Sequence, residues 1–216
     1  MEMQQPLDTL VIGAGQAGLA AGYHLQRAGN SFIILETGDR PAGSWPHYYD
    51  SLRLFSPARF SSLPGFPFPG DPERYPTRDE VIDYLETYAA HFGFPICFGA
   101  QVVNVTQDNG LFTVATADNR LFHARSLIAA TGSFHRPYIP ILPGQQNFQG
   151  KILHSVAYRT PTAFAGQRVV VVGAGNSAIQ IASELAQVAQ VTLATRQPVR
   201  FVTQRPYGRD LHSGGG

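Results

Sequence analysis

One cysteine, one tryptophan and only 14% charged residues are the scarcities of this 216-residue chain. The lone Cys97 excludes an internal disulfide framework and any C-x-x-C redox pair, so thiol–disulfide exchange within the chain is out and Cys97 is expected simply to pack. No charge of one sign dominates: the formal net charge is +1 and the isoelectric point about 8.0. Without a Lys/Arg run to track a phosphate backbone, nucleic acid is not an expected partner. No apolar run approaches the roughly 20 residues of a membrane-spanning helix. The opening MEMQQPLDTL lacks the basic and apolar regions of a signal peptide. The expectation is a soluble protein in the cytoplasm with no membrane partner. What the chain does have is 44% apolar residues and 22 glycines, enough for a sizeable core in one or two domains.

The glycines are not scattered. Asp8-Thr-Leu-Val-Ile12 reads as a short buried strand that runs directly into Gly13-Ala-Gly15-Gln-Ala-Gly18. A helix follows to about Ala28, Gly29-Asn30 stops it, and Ser31-Phe-Ile-Ile-Leu-Glu36 supplies a second strand with an acidic end. The same βαβ pattern returns at Gln167–Val172, Gly173-Ala-Gly175-Asn-Ser-Ala178, a helix with Ile181, Leu185 and Val188 on one face, and the strand Val191–Thr195. Between the two units, Thr77-Arg-Asp-Glu80 is a capping box opening a helix with Val81, Leu85, Tyr88 and Phe92 as its core stripe. Residues 101–124 read as a β-meander seated on the first unit. Ser126–Ala130 reads as a further buried strand ending at Thr131-Gly132, and Arg136–Pro143 as an extended linker. The fold class is therefore α/β, with two Rossmann-like dinucleotide-binding domains, residues 1–145 and 146–216, and a β-meander on the first.

Each fingerprint needs its glycines for a tight turn, for close backbone approach to a pyrophosphate, and for packing of helix on strand. The phosphates then lie on the helix N-terminus. Gly13, Gly15, Gln16, Ala17 and Gly18 are the first set of candidate contacts, and Gly173, Gly175, Asn176 and Ser177 the second. Spacing separates the two ligands. Glu36 lies 23 residues beyond Gly13, and Arg196, after Thr195, lies 23 beyond Gly173. A carboxylate at that place accepts hydrogen bonds from ribose hydroxyls, whereas a guanidinium suits a ribose 2′-phosphate. The pair reads as FAD on the first unit and NADPH on the second.

With these motifs the sequence resembles the class B flavoprotein monooxygenases, including flavin-containing and Baeyer–Villiger types and especially their small bacterial relatives. Gly43-Ser-Trp45 looks like the family's G-x-W segment beside the flavin, and Ala130-Thr131-Gly132 like its A-T-G element. Phe148-Gln-Gly150-Lys-Ile-Leu-His154-Ser-Val-Ala-Tyr158 matches the F-x-G-x-x-x-H-x-x-x-Y/F signature at every fixed position, and the likeness runs from about Leu7 to about Leu211. The resemblance implies reduction of FAD by NADPH, reaction with dioxygen to a C4a-(hydro)peroxyflavin, and oxygen transfer to a small-molecule substrate, a soft N or S nucleophile or a ketone. It adds Gly43, Trp45, Thr131 and Gly132 to the FAD contacts, and gives His154 and Tyr158 a place where nicotinamide meets flavin. Baeyer–Villiger relatives usually carry Trp at the position of Tyr158, which favours N- or S-oxygenation. No side chain is required as acid or base, and a homo-oligomer is compatible with the reading.

Two departures stand out. Family members often have Asn where Leu52-Arg-Leu-Phe55-Ser-Pro57 places Phe55, and the neighbouring Pro64–Pro69 stretch reads as a rigid loop packed on the core or as a lid over the flavin. The family also continues well past Ser213-Gly-Gly-Gly216. The second unit is thus expected to be incomplete, with about two strands, either because the sequence is a piece of a longer product or because another chain supplies the rest. An NADPH-dependent flavoprotein reductase with another electron acceptor, or a nucleotide-binding remnant without turnover, shares the two fingerprints.

Overall fold

A computed structural model describes residues 5–134, 136–208 and 210–214. The chain divides into two compact units. One comprises Met1–Pro46 with Ser56–Arg136, and the other His47–Phe55 with Pro137–Gly216.

In the first unit, β1 (Leu7–Ile12), α1 (Gln16–Arg27) and β2 (Phe32–Leu35) form the first βαβ. α1 ends because Gly29 takes φ +71°, a left-handed conformation that glycine adopts without Cβ strain. α2 (Arg78–Phe92) leads to β3 (Ile96–Cys97), and β4 (Val102–Asp108), β5 (Leu111–Thr116) and β6 (Leu121–Ala129) form the meander. All six strands share one sheet, in the order β3-β2-β1-β6-β5-β4. β1 is parallel to both β2 and β6, and the meander strands are antiparallel. Leu10 and Val11 are fully buried because β1, central in a sheet with parallel neighbours, meets core on both faces. Leu10, Leu35, Ala100, Val114 and Ala124 form one buried cluster of the unit.

The sequence suggests a break between the meander and the strand at Ser126, but β6 is one continuous strand. Its first half pairs with β5 (Phe112 opposite Ala124) and its second half with β1 (Leu10 opposite Leu127). The pattern changes from alternating to continuously apolar because the strand passes from the two-sided meander into the middle of the sheet, with no turn residue in between.

α2 begins as expected. Thr77 Oγ1 accepts from the Glu80 N–H at 3.3 Å, and Glu80 Oε2 accepts from the Thr77 N–H at 2.8 Å. Gly93, at φ +62°, closes the helix. Tyr84 is buried beside the expected Val81, Leu85 and Tyr88, while Phe92 is only partly covered. The two phenols account for the neighbouring loop: Tyr84 donates to the Phe66 carbonyl at 2.7 Å and Tyr88 to the Pro64 carbonyl at 2.8 Å, and Phe68 stacks on Tyr84 with centroids 4.5 Å apart. Pro64–Pro69 is thus a loop packed on α2.

Replacing Thr77 with Ala should destabilise the first unit by about 1 kcal/mol at neutral pH. The Thr77 backbone N–H and then Arg74 hold the Glu80 carboxyl below the ordinary glutamate range. A depressed folded-state pKa contributes stability above the unfolded-state value and loses it as pH falls through the folded one. The Thr77 hydroxyl donates to Glu80 Oε2 at 3.1 Å, and since this is the one bond to the carboxyl that the variant loses, the penalty should shrink by that part below about pH 4. Denaturant unfolding of parent and variant at pH 7 and in acid checks this, and an undiminished penalty in acid contradicts it.

In the second unit, β7 (Arg168–Val172), α3 (Asn176–Leu185) and β8 (Gln190–Ala194) form a second βαβ whose two strands are parallel, Arg168 opposite Gln190 and Val172 opposite Ala194. Ile181 and Leu185 of α3 pack on Val169, Val171 and Val191. The alternate residues Val170 and Val172 are 62% and 65% exposed, because a helix covers only one face of this sheet. Among the described residues the second sheet has two strands. None of the described helices is long and apolar enough to cross a membrane.

Candidate functional site

The first βαβ turn is built from close backbone contacts. Gly13 has φ +103°, and a Cβ there would lie 2.4 Å from the Ala130 carbonyl oxygen. A Cβ on Gly18 would lie 1.8 Å from the Gly13 carbonyl oxygen, so any side chain there would push α1 off the turn. Gly43, at φ +54°, brings its loop against the turn: a Cβ on it would meet Gly15 Cα at 2.9 Å. Gly132, also left-handed at φ +73°, has Ser44 Oγ 3.8 Å from where its Cβ would be. Gly13, Gly15, Gly43 and Gly132 thus gather at the C-terminal ends of β1 and β6, where parallel sheets bind ligands. Trp45 opens a short 3-10 turn beside Gly43 and is half-buried, and Thr131 is exposed.

α1 starts at Gly15, and no side chain caps it. The N–H groups of Gln16, Ala17 and Gly18 in its first turn have no carbonyl within the helix to bond. Such a helix start, with backbone close on every side, fits a pyrophosphate. Glu36 sits at the end of β2, 8% exposed. Its Oε2 accepts from the Ala14 N–H at 2.7 Å and its Oε1 from the Gly38 N–H at 2.9 Å. A carboxylate offers about four acceptor sites, so ribose hydroxyls can still be accommodated. The spacing makes Glu36 the expected ribose acceptor but does not disclose its bond to the Ala14 N–H, which spans 22 positions.

The second turn repeats the plan. Gly173 has φ +129° and donates its N–H to the Ala194 carbonyl at 3.0 Å. Gly175 opens α3 without a side-chain cap, and a Cβ on it would meet nothing within 4 Å, so the turn lies open. Asn176 and Ser177 lie exposed in the first turn. Thr195 and Arg196 follow β8 and are exposed; Thr195 Oγ1 donates to the Gln197 carbonyl at 2.8 Å. Among the described residues no hydrogen bond or ion pair occupies the Arg196 guanidinium.

His154 and Tyr158 take local roles. His154 Nδ1 accepts from the Val156 N–H at 3.2 Å, capping a short turn. Tyr158 is 5% exposed and donates to Glu184 Oε2 at 2.7 Å. Burial, and after it Glu184, push its phenol well above the ordinary tyrosine range. Tyr158 therefore acts as a neutral donor that ties the signature motif to α3. Tyr49, Gln180 and Glu184, which join it, carry no local sequence signal, since Tyr49 and Gln180 are 131 positions apart. Phe55 is 55% exposed, with its carbonyl accepting from Gln204 Nε2 at 3.0 Å. Cys97 packs at the sheet edge, half-buried, with Arg120 Nη1 2.8 Å from its sulfur. Among the described residues no cluster of His, Cys, Asp or Glu could hold a metal ion.

The sequence profile of the pyridine nucleotide-disulphide oxidoreductases matches residues 10–211. An uncharacterised CzcO-like oxidoreductase of Geobacillus kaustophilus is 41% identical over 211 residues, 97% of this chain and 60% of that protein. A doubly substituted flavin monooxygenase from Stenotrophomonas maltophilia superposes with a TM-score of 0.91 at 40% identity, over 97% of this chain and 62% of that one. An S-allyl-L-cysteine S-oxygenase from Allium sativum superposes at 0.83 with 28% identity, over 95% and 55%. The chain spans about three fifths of the length of the first two relatives. It belongs to the pyridine nucleotide-disulphide oxidoreductase family, among whose members its flavin monooxygenase relatives are those that its glycine fingerprints and its Phe148–Tyr158 signature pointed to.

Proposed function

We propose that the chain is the dinucleotide-binding part of a flavin-dependent monooxygenase, with FAD on the first unit and NADPH on the second. The observation that carries this reading is the opposite charge of Glu36 and Arg196 at equivalent strand ends, each beside an uncapped helix start. In this reading the N–H groups of Gln16, Ala17 and Gly18 receive the FAD pyrophosphate, and Glu36 its ribose. Gly43, Trp45, Thr131 and Gly132 border the flavin. Gly173, Gly175, Asn176 and Ser177 receive the second pyrophosphate, and Thr195 and Arg196 the 2′-phosphate. His154 and Tyr158 serve NADPH indirectly, by fixing the turn and helix next to it. When bound, the flavin supplies hydride acceptance and dioxygen activation; the protein's part is to orient the two cofactors and exclude water. No side chain is assigned proton transfer.

The substrate is a small molecule with a soft N or S nucleophile, or a ketone. Tyr158 in place of Trp and the likeness to an S-oxygenase favour the former. With FAD supplied, NADPH oxidation should consume dioxygen and convert a thioether probe such as methyl p-tolyl sulfide to its sulfoxide. NADPH oxidation that reduces ferricyanide but yields no sulfoxide, amine oxide or lactone from thioether, amine and ketone probes would replace this reading with a flavoprotein reductase.

A further inference from the structure

α3 is gripped by a piece of chain from far upstream. His47–Phe55 follows Trp45-Pro46 directly, yet it belongs by its contacts to the second unit. Tyr49 in this strap is 4% exposed. Its phenol donates to Gln180 Oε1 at 2.9 Å and shares a hydrogen bond with Ser177. Its ring lies 5.9 Å from that of Tyr158, in a cluster with Ile181 and Leu185. The strap backbone is held as well. The Asp50 N–H donates to the Arg159 carbonyl at 3.1 Å, Arg159 Nη1 to the Tyr48 carbonyl at 2.7 Å, and Gln180 Nε2 to the Arg53 carbonyl at 3.2 Å.

The positions that meet the strap and Tyr158 are Ser177, Gln180, Ile181 and Glu184, at i, i+3, i+4 and i+7, so they form one stripe along α3. Clamping one stripe fixes the rotation of a helix about its axis. The first turn of that helix, with Asn176 and Ser177, is the part of the second glycine fingerprint that would face the nucleotide in the NADPH reading. We propose that Tyr49 is a positioning residue for the second nucleotide: through Tyr49 the strap sets α3 so that its first-turn N–H groups point at the pyrophosphate. This rests on the NADPH reading of the second fingerprint. The strap begins two residues after Trp45, so the chain that borders the proposed flavin site runs straight into the element that orients the NADPH helix.

Tyr49→Phe keeps the ring in the cluster and removes the hydroxyl, and Gln180→Leu removes the same bond from the helix side. Hydrogen exchange by mass spectrometry is read on peptides covering 47–55 and 173–185, with and without NADPH. Without nucleotide, Tyr49→Phe should speed exchange in α3 by at least about fivefold, the worth of one ordinary hydrogen bond, since the phenol bonds both Gln180 and Ser177. Gln180→Leu also removes the bond to the Arg53 carbonyl, and only Tyr49→Phe removes the bond with Ser177, so the double variant should exchange faster than either single variant but by less than the product of their two effects. In the parent, NADPH should slow exchange in both peptides. Tyr49→Phe should lose the protection of 47–55 and bind NADPH several-fold more weakly, with FAD affinity unchanged. Parent-like α3 exchange in Tyr49→Phe overturns the proposal, as does NADPH protection of 173–185 that leaves 47–55 unprotected. If NADPH protects neither peptide, the NADPH reading fails and the nucleotide role of Tyr49 falls with it, while the ligand-free exchange still reports whether the strap holds the helix.

Discussion

Replacing Arg196 with Ala is expected to raise the dissociation constant for NADPH about tenfold to a hundredfold and to leave that for NADH nearly unchanged. The guanidinium follows β8, in the proposed reading beside the ribose of the second nucleotide, and no acidic residue stands at that strand end to favour a hydroxyl. A bidentate contact with a 2′-phosphate, partly exposed and screened by salt, contributes about 1.5–3 kcal/mol. NADH offers only a hydroxyl there, so the loss falls on one coenzyme alone. Arg196→Lys should recover part of the preference, since it keeps the charge and loses the fork. Titrations of both coenzymes in one buffer at one ionic strength check this. If Arg196→Ala keeps the parent's ratio of constants, coenzyme choice is set elsewhere.

Replacing Glu36 with Ala is expected to weaken FAD by more than tenfold, and for two reasons that act together. The first is loss of the proposed ribose acceptor, a charge-assisted pair of hydrogen bonds at about 1.5–3 kcal/mol each. The second comes from the fold. Ala14 is fully buried, and its N–H has the Glu36 carboxylate as acceptor. Leaving that donor unpaired costs about 1–3 kcal/mol and loosens the turn that approaches the pyrophosphate. Glu36→Gln should not rescue binding, because the Ala14 and Gly38 N–H groups occupy one oxygen each and an amide has only one oxygen. NADPH affinity, resting on the other unit, serves as the internal control. FAD affinity equal to the parent's in Glu36→Ala would remove Glu36 from the site.

Both βαβ units were legible because their signals are local: an apolar run, a glycine turn, a helix of regular period, and a strand followed by a charged residue. The capping box at Thr77 and Glu80 was legible for the same reason, being complete within four residues. The continuity of β6 was not, since it depends on which strands lie on either side of Ala124 and Leu127. Nor were the bonds from Tyr84 and Tyr88 to the Pro64–Pro69 loop, where a periodic pattern marks a residue as core without saying what its hydroxyl reaches.

The site divides along the same line. The glycines lie where the spacing put them, because a positive φ or a backbone contact leaves no alternative at Gly13, Gly18 and Gly43. The membership in a flavin-related family followed from motifs whose order along the chain is itself informative. The strap at His47–Phe55 escaped notice because its segment looks like an ordinary loop beside Trp45, and its partners Arg159 and Gln180 are more than 100 residues away. Tyr158 was legible as part of a signature but not as a buried donor to Glu184, which the pattern alone does not distinguish from a cofactor contact.

In the proposed reading, two fingerprints of one plan hold two different dinucleotides at once. Calorimetric titration of NADPH into the FAD-saturated protein tests it most directly. One further site per chain is expected, with FAD retained and its dissociation constant unaltered when measured with the redox-inactive NADP⁺ in place of NADPH. Displacement of FAD by NADP⁺, or NADPH binding that appears only when FAD is absent, would show a single shared site and contradict the account.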